Sequence, residues 1–176
     1  TGTNGKTSIA HYVADLASRV GHPCGYMGTV GVGRVGALAS AALTTADSVT
    51  VQRALADLVA GGSTWAALEV SSHALALHRV DGTEFDAVVF TNLGHDHLDL
   101  NGSQEEYFRA KARLFSPGFS KLGVINVDDA HGRLIADTAA SDIAGETFRV
   151  VTYSVADVSD VDVTAVSHSY TWRGRR

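Results

Sequence analysis

The sequence predicts an α/β fold: a mostly parallel sheet flanked by helices, with a short antiparallel strand region near the C-terminus. Three observations carry this. Apolar runs that end in polar or charged groups recur at 65–70, 85–92 and 123–129, the form of strands buried on both faces. Stretches with helical periodicity lie before and between these runs, at 7–20, 49–60 and 103–115. The two kinds of signal alternate, as parallel pairing requires when each return crossover is a helix.

Thr1-Gly2-Thr3-Asn4-Gly5-Lys6-Thr7 places a glycine-rich turn, a lysine and a hydroxyl ahead of an amphipathic helix. This is the second half of a nucleotide-phosphate loop (P-loop). Glycines let the backbone approach phosphates so that its N–H groups cradle them; the lysine reaches the β- and γ-phosphates, and the hydroxyl is placed to hold Mg²⁺. The full pattern G-x-x-x-x-G-K-[ST] needs a further glycine ahead of Thr1. At this point a Gly/Asn/Thr turn that merely caps a helix stands level with the functional reading.

In the helix that follows, Ile9, Tyr12, Val13, Leu16 and Val20 recur at helical spacing, and Gly21 and Pro23 end it. Residues 25–30 form a short strand, and the glycine-rich run to Gly36 is a hairpin or a mobile loop. Thr44-Thr45-Ala46-Asp47-Ser48 is a polar turn in which Asp47 or Ser48 caps the second helix, which Gly61-Gly62 stops. Ser103 and Glu106 are set as a capping box for the third. After Val150 the pattern changes to short strands at 161–166 and 169–172.

The 176 residues suit one domain, and 45% hydrophobic with 19% charged residues is the balance of a soluble globular protein. A net charge of −5 argues against a nucleic-acid partner while leaving room for a local basic pocket. The single cysteine, Cys24, excludes an internal disulfide framework and is read as a buried thiol in a reducing, cytoplasmic setting. No apolar stretch approaches membrane-spanning length. The opening inside a motif, and an ending without a terminal element, lead to the expectation of a piece cut at both ends.

Three constellations carry chemistry. Glu69 ends an apolar strand and begins Glu69-Val70-Ser71-Ser72-His73; beside a phosphate loop, such a carboxylate is a Mg²⁺ ligand, and otherwise a cap for the next helix. Ser71 and Ser72 read as helix caps and His73 as structural. Asn92-Leu93-Gly94-His95-Asp96-His97-Leu98-Asp99 gathers two histidines and two aspartates after a strand. One reading is a zinc hydrolase built on His95, His97 and Asp99, weakened because Leu100 stands where a further histidine is usual. The other is a histidine at a Mg²⁺ site, oriented by the acids. Lys111 sits beside Tyr107, Phe108, Leu114 and Phe115, where a lysine ordinarily snorkels to water.

Taken with Thr44-Thr45, His78-Arg79, Phe90-Thr91-Asn92-Leu93 and Ala110-Lys111-Ala112, these motifs resemble the central domain of the Mur ligase family, most closely its MurE branch. The resemblance runs from Thr1 to about Asp128. It implies an ATP-dependent amide-bond ligase of peptidoglycan (cell-wall) precursor synthesis, and so a part in cell shape and division. Such an enzyme adds a diamino acid to UDP-MurNAc-L-Ala-D-Glu through an acyl phosphate. By position, Gly2, Thr3, Asn4, Gly5, Lys6 and Thr7 bind ATP. Thr7, Glu69, His97 and Lys111, the last as a CO₂-derived carbamate, serve two Mg²⁺ ions, and Lys6, Glu69, His97 and Lys111 are the catalytic set. Thr44, Thr45, Ser71 and Arg79 bind the UDP-muramoyl peptide, with His73 and Asn92 in the same pocket.

The resemblance also implies a monomeric cytoplasmic enzyme. The whole of 1–176 is then the central ATP-binding domain, inactive alone, without its preceding strand, N-terminal UDP-binding domain and C-terminal domain. Ala46, Leu77 and Asn101 depart from the family's proline, glutamine and histidine. Sibling enzymes with the same ATP site remain open: another Mur ligase, folylpolyglutamate synthase or cyanophycin synthetase.

Overall fold

The structure, a computed structural model, describes residues 1–94, 104–141, 148–156 and 161–164. Helix α1 (Lys6–Arg19) leads into β1 (Cys24–Gly28), then β2 (Gly31–Arg34) and β3 (Ala37–Ala39). Helix α2 (Ser48–Ala60), β4 (Trp65–Leu68) and the short α3 (Ser72–Ala76) follow. The rest comprises β5 (Val88–Phe90), α4 (Gln104–Ala112), β6 (Leu122–Asn126), α5 (Ala130–Ser141), β7 (Arg149–Ser154) and β8 (Val163–Thr164).

The strands form two four-stranded sheets, ordered β3-β2-β1-β4 and β5-β6-β7-β8. In the second sheet every neighbouring pair is parallel. In the first, β1 pairs parallel with β4, in the register Cys24↔Trp65, and antiparallel with β2. The glycine-rich run is therefore a hairpin arm, with β2 and β3 antiparallel. Among the described residues, the antiparallel pairing expected near the C-terminus gives way to parallel pairing: β8 lies beside β7 with Tyr153 opposite Val163. Alternating short apolar runs do not distinguish the two modes, and here Asp162 brings β8 alongside by accepting from the N–H and hydroxyl of Thr152. The strand expected at 169–172 lies outside the described residues, as does Ser103 of the expected capping box.

The predicted face of α1 is corrected. Tyr12, Val13, Leu16 and Val20 are exposed, and the helix buries Ala10, Ala14 and Ala17 against Cys24, Tyr26 and Ala67. Small side chains let the helix approach the sheet more closely than leucine would, and the buried Tyr26 ring fills the space. The helix stops at Gly21, whose φ of 94° suits a residue without Cβ. Helix α2 is capped as expected: the Asp47 carboxylate accepts from Thr50 N at 3.1 Å.

The main core joins Val88, Phe90 and Ile125 of β5 and β6 to Leu75, Val80, Leu114, Phe115 and Phe148. It packs α3 and α4 against the strands whose carboxyl ends carry polar residues, which is where ligands bind in open parallel sheets. Residues 1–3 run along β5: Thr91 N donates to Thr1 O at 3.0 Å and Thr3 N to Asn92 O at 2.8 Å. That pairing fixes the 2–7 loop beside the end of β5. No helix among the described residues is long and apolar enough to cross a membrane.

Candidate active site

Within the loop, Gly2 (φ 145°) and Gly5 (φ 83°) take backbone conformations that side chains resist, and a Cβ on Gly2 would lie 1.8 Å from Thr91 Oγ1. Gly5 is the N-cap of α1 and offers no side-chain oxygen, so no side chain covers the helix's positive end. The N–H groups of Thr3 and Asn4, expected to face phosphate, donate instead to Asn92 O at 2.8 Å and Asn92 Oδ1 at 2.9 Å. Thr3 Oγ1 accepts from Gly94 N at 2.8 Å and contacts Tyr107 Oη at 3.3 Å. Asn92, expected in the substrate pocket, thus clamps the loop, its amide also donating to Asn4 O. Lys6 folds back over the turn, donating to Gly2 O at 2.9 Å and Thr3 O at 3.0 Å. Burial holds its ammonium below the usual lysine range, with the charge of Glu69 opposing that effect.

Glu69 follows β4 directly and is 2% exposed. Its carboxylate accepts from Tyr26 Oη, from Thr29 N at 2.9 Å, from Thr29 Oγ1 at 3.2 Å and from Thr7 Oγ1 at 2.8 Å. All four donors are neutral. Gly28 makes the approach possible, because a Cβ there would lie 2.1 Å from Glu69 Oε1. The Thr7 hydroxyl spends its proton on Glu69 and keeps its lone pairs, which suits it to face a cation.

Beyond Glu69, a cavity of about 300 Å³ is lined by Lys6, Thr7, Thr44, Thr45, Ser71, His73, Arg79 and Lys111 among others. Thr45 braces its floor: its hydroxyl donates to Glu69 O at 2.7 Å and accepts from Ser71 N at 3.2 Å, and its carbonyl accepts from Arg79 Nη1 at 3.0 Å. Thr44 meets Thr29, oxygen to oxygen, at 3.0 Å. Ser71 caps α3, accepting from Ala74 N at 3.1 Å, so its hydroxyl proton remains available. His73 is exposed on the first turn of that helix.

Lys111 does not snorkel. It is 1% exposed, donates to Gly2 O at 3.1 Å and lies 4.1 Å from the Tyr107 ring centroid. Burial first, and then the charge of Lys6, pushes its pKa down to about 7. The structure therefore brings the loop, Glu69, Lys111 and the Thr44–Thr45–Ser71–Arg79 group to one cavity. His95, His97 and Asp99 lie outside the described residues.

A protein-family model, the Mur ligase middle domain, matches residues 1–174. The chain belongs to the Mur ligase family. It is 46% identical over 159 residues to the UDP-N-acetylmuramoyl-L-alanyl-D-glutamate–2,6-diaminopimelate ligase of Ectopseudomonas mendocina, spanning 90% of this chain and 31% of that protein. It is 51% identical over 142 residues to the enzyme of the same name from Ralstonia nicotianae, spanning 80% and 27%. A solved structure of a ligase so named superposes with a TM-score of 0.83 at 40% identity, covering 93% of this chain and 32% of that one. The chain thus spans about a third of the length of the relatives it matches. These likenesses bear out the resemblance to the Mur ligases and their diamino-acid-adding branch, and lend no support to a zinc hydrolase.

Sequence reasoning missed two residues of this Mur ligase domain's site, Tyr26 and Thr29, which hold Glu69; it placed Tyr107 beside Lys111 without reading that the ring shelters the lysine from water. For Tyr26 the only signal was a tyrosine two residues before a strand-end glycine, which does not say which group it meets.

Proposed function

We propose that this domain is the ATP-binding centre of a ligase that joins 2,6-diaminopimelate to UDP-MurNAc-L-Ala-D-Glu. One observation carries the reading: a buried carboxylate, held by four neutral donors, faces a glycine loop with two lysines. A carboxylate whose hydrogen-bond partners are hydroxyl and N–H groups alone is paired with no protein cation, which suits it to one that arrives with substrate.

The residues fit Mg²⁺. Among the described residues no cluster of three or more His, Cys, Asp or Glu side chains could hold an ion. Glu69 and the Thr7 oxygen suit instead an ion that takes phosphate oxygens and water as its remaining ligands, as Mg²⁺ does. Bound there, it would neutralise charge on the phosphates. His97 joins this set on motif position, and a second ion would use carbamylated Lys111. The carbamate is supported by chemistry: only a neutral amine attacks CO₂, and a buried lysine titrating near 7 supplies one at neutral pH.

The chain's own residues act by positioning and charge. The uncapped N–H groups at the start of α1 and the Lys6 ammonium, swung from Gly2 O, hold the triphosphate. Arg79, Ser71, Thr44 and Thr45 orient the peptide so that its D-glutamate side-chain carboxylate attacks the γ-phosphorus and ADP leaves. The diaminopimelate amine then attacks the acyl-phosphate carbonyl and loses a proton. The tetrahedral intermediate expels inorganic phosphate, leaving the amide. The domain reading goes with this: 1–176 is the central piece of a longer, monomeric cytoplasmic enzyme, inactive without its flanking domains.

Coupled ADP release by the full-length protein tests the reading. Release should require both UDP-MurNAc-L-Ala-D-Glu and 2,6-diaminopimelate. Release with folate and glutamate, and without the muramoyl peptide, would assign the chain to a sibling enzyme.

A further inference from the structure

Helix α3 ends in a chain reversal that glycine normally makes. Arg79 N donates to Ala74 O at 2.9 Å and His78 N to Leu75 O at 3.2 Å, the paired bonds of a Schellman motif. The left-handed position of that motif is His78, with φ 57°, the only non-glycine residue of positive φ among the described residues. A β-carbon disfavours this conformation, so something must hold it. Arg113, two residues beyond Lys111, reaches across from the end of α4. Its Nη1 donates to Leu75 O at 2.6 Å, and its Nη2 donates to Asp81 Oδ2 at 2.5 Å and lies 2.9 Å from His78 Nδ1. Asp81 Oδ2 is itself 2.7 Å from His78 Nδ1. The guanidinium also lies 5.5 Å from the Phe119 ring centroid. The next residue in the turn is Arg79, which enters the cavity and donates to Thr45 O.

We infer that Arg113, with Asp81 and the His78 ring, latches this turn, and that Arg113 is a positioning residue for Arg79 and so for the anionic acceptor substrate. The guanidinium fork is the right tool. It grips the last turn of α3 through a carbonyl and the reversal through a carboxylate, which a single ammonium does not do in this geometry. Asp81 is held below the usual carboxylate range by His78 first and Arg113 second, which keeps it charged for the fork. The latch also ties the helix that bears Lys111 to the turn that bears Arg79, joining the two sides of the cavity. The substrate half of this inference rests on the ligase reading above; the turn half does not.

The experiment uses the full-length protein and three variants: Arg113→Ala, Arg113→Lys and Arg113→Ala with His78→Gly. Glycine takes the left-handed position without strain, so it replaces what the latch supplies. Amide exchange at His78 and Arg79 is read alongside calorimetric titration with UDP-MurNAc-L-Ala-D-Glu and with ATP. Arg113→Ala should speed exchange and weaken the muramoyl peptide roughly tenfold, with ATP affinity within about twofold. Arg113→Lys should fall between, and the double variant should recover exchange and affinity to within about threefold. Unchanged exchange in Arg113→Ala overturns the latch. A loss that His78→Gly leaves in place assigns Arg113 to helix packing instead. Exchange that behaves as stated in a wild-type protein that does not bind the muramoyl peptide upholds the latch and overturns the substrate reading.

Discussion

The ammonium groups of Lys6 and Lys111 donate to one carbonyl oxygen, that of Gly2, at 2.9 and 3.1 Å. A half-buried and a buried ammonium on a single neutral acceptor repel each other, which costs stability and favours an anion that would separate them.

This predicts a pH-dependent stability. Lys111 titrates near 10.5 in the unfolded chain and about 7 in the fold. Between these values the unfolded chain binds the additional proton, so stability rises with pH across that window, and below pH 7 the cost is fully present. In CO₂-free buffer, Lys111→Met should therefore exceed wild type in urea stability by about 2–4 kcal/mol near pH 6.5, with the gain fading toward pH 10. A gain that stays constant with pH would remove the buried ammonium from this account.

Catalysis should move oppositely. Lys111→Ala abolishes ligation if the carbamate carries the function, and short-chain carboxylates such as acetate should restore a measurable fraction of kcat. On the proposed reading the carbamate is an anionic oxygen ligand, a role that a free carboxylate can fill. Rescue by amines and not by acids would mean that the lysine works as an ammonium or a base.

Glu69→Gln tests the carboxylate. The amide keeps the shape but presents an N–H₂ group to donors that Tyr26, Thr29 and Thr7 already aim at it. On the proposed reading, in which the loop and Lys6 supply the ground-state binding, turnover should fall at least about 100-fold while ATP affinity changes less than about fivefold. Unchanged turnover at saturating Mg²⁺ would take Glu69 out of the metal site.

Tyr26→Phe removes one donor to the same carboxylate without touching the cavity wall. Removing a hydrogen-bond donor from behind a metal-binding side chain typically costs about tenfold or more in metal affinity. The Mg²⁺ concentration for half-maximal activity should rise by about that factor, with kcat at saturating Mg²⁺ largely kept. Direct Mn²⁺ titration in the presence of a non-hydrolysable ATP analogue should give the same shift. A fall in kcat at every Mg²⁺ concentration would instead mean that Glu69 is misplaced outright.

How much of this was legible in the sequence depends on how local each feature is. Gly5-Lys6-Thr7, the Asp47 cap, the Ser71 cap and the strand-end position of Glu69 are properties of a few adjacent residues, and the structure has them where the pattern puts them. The site roles proposed for the loop residues, for Glu69 and for the substrate group came from motif order across the chain, not from any one local pattern. Burial of Lys111 was not legible, because its shelter comes from a loop about a hundred residues away and from the Tyr107 ring. Tyr26 and Thr29 were missed for the same reason: they meet Glu69 only because β1 and β4 pair in one register. Arg113 was invisible among ordinary helix-end arginines.

The α1 helix is the clearest case of pattern misleading, and it yields the last prediction. The periodic apolar set points outward, and the buried strip is alanine, with Ala14 at 0% exposure. Hydrophobic periodicity weights large side chains, whereas a helix that must sit close to a sheet is selected for small ones. Ala14→Leu would force its added methylenes against Cys24, Tyr26 and Ala67 and push α1, with the loop it follows, off the sheet. Denaturant unfolding should show a loss of about 2–3 kcal/mol or more, with weakened ATP binding. Leu16→Ser, on the face that the pattern marks as core, should stay within about 0.5 kcal/mol of wild type in the isolated domain. A larger loss at Leu16 than at Ala14 would restore the face that the periodicity predicts.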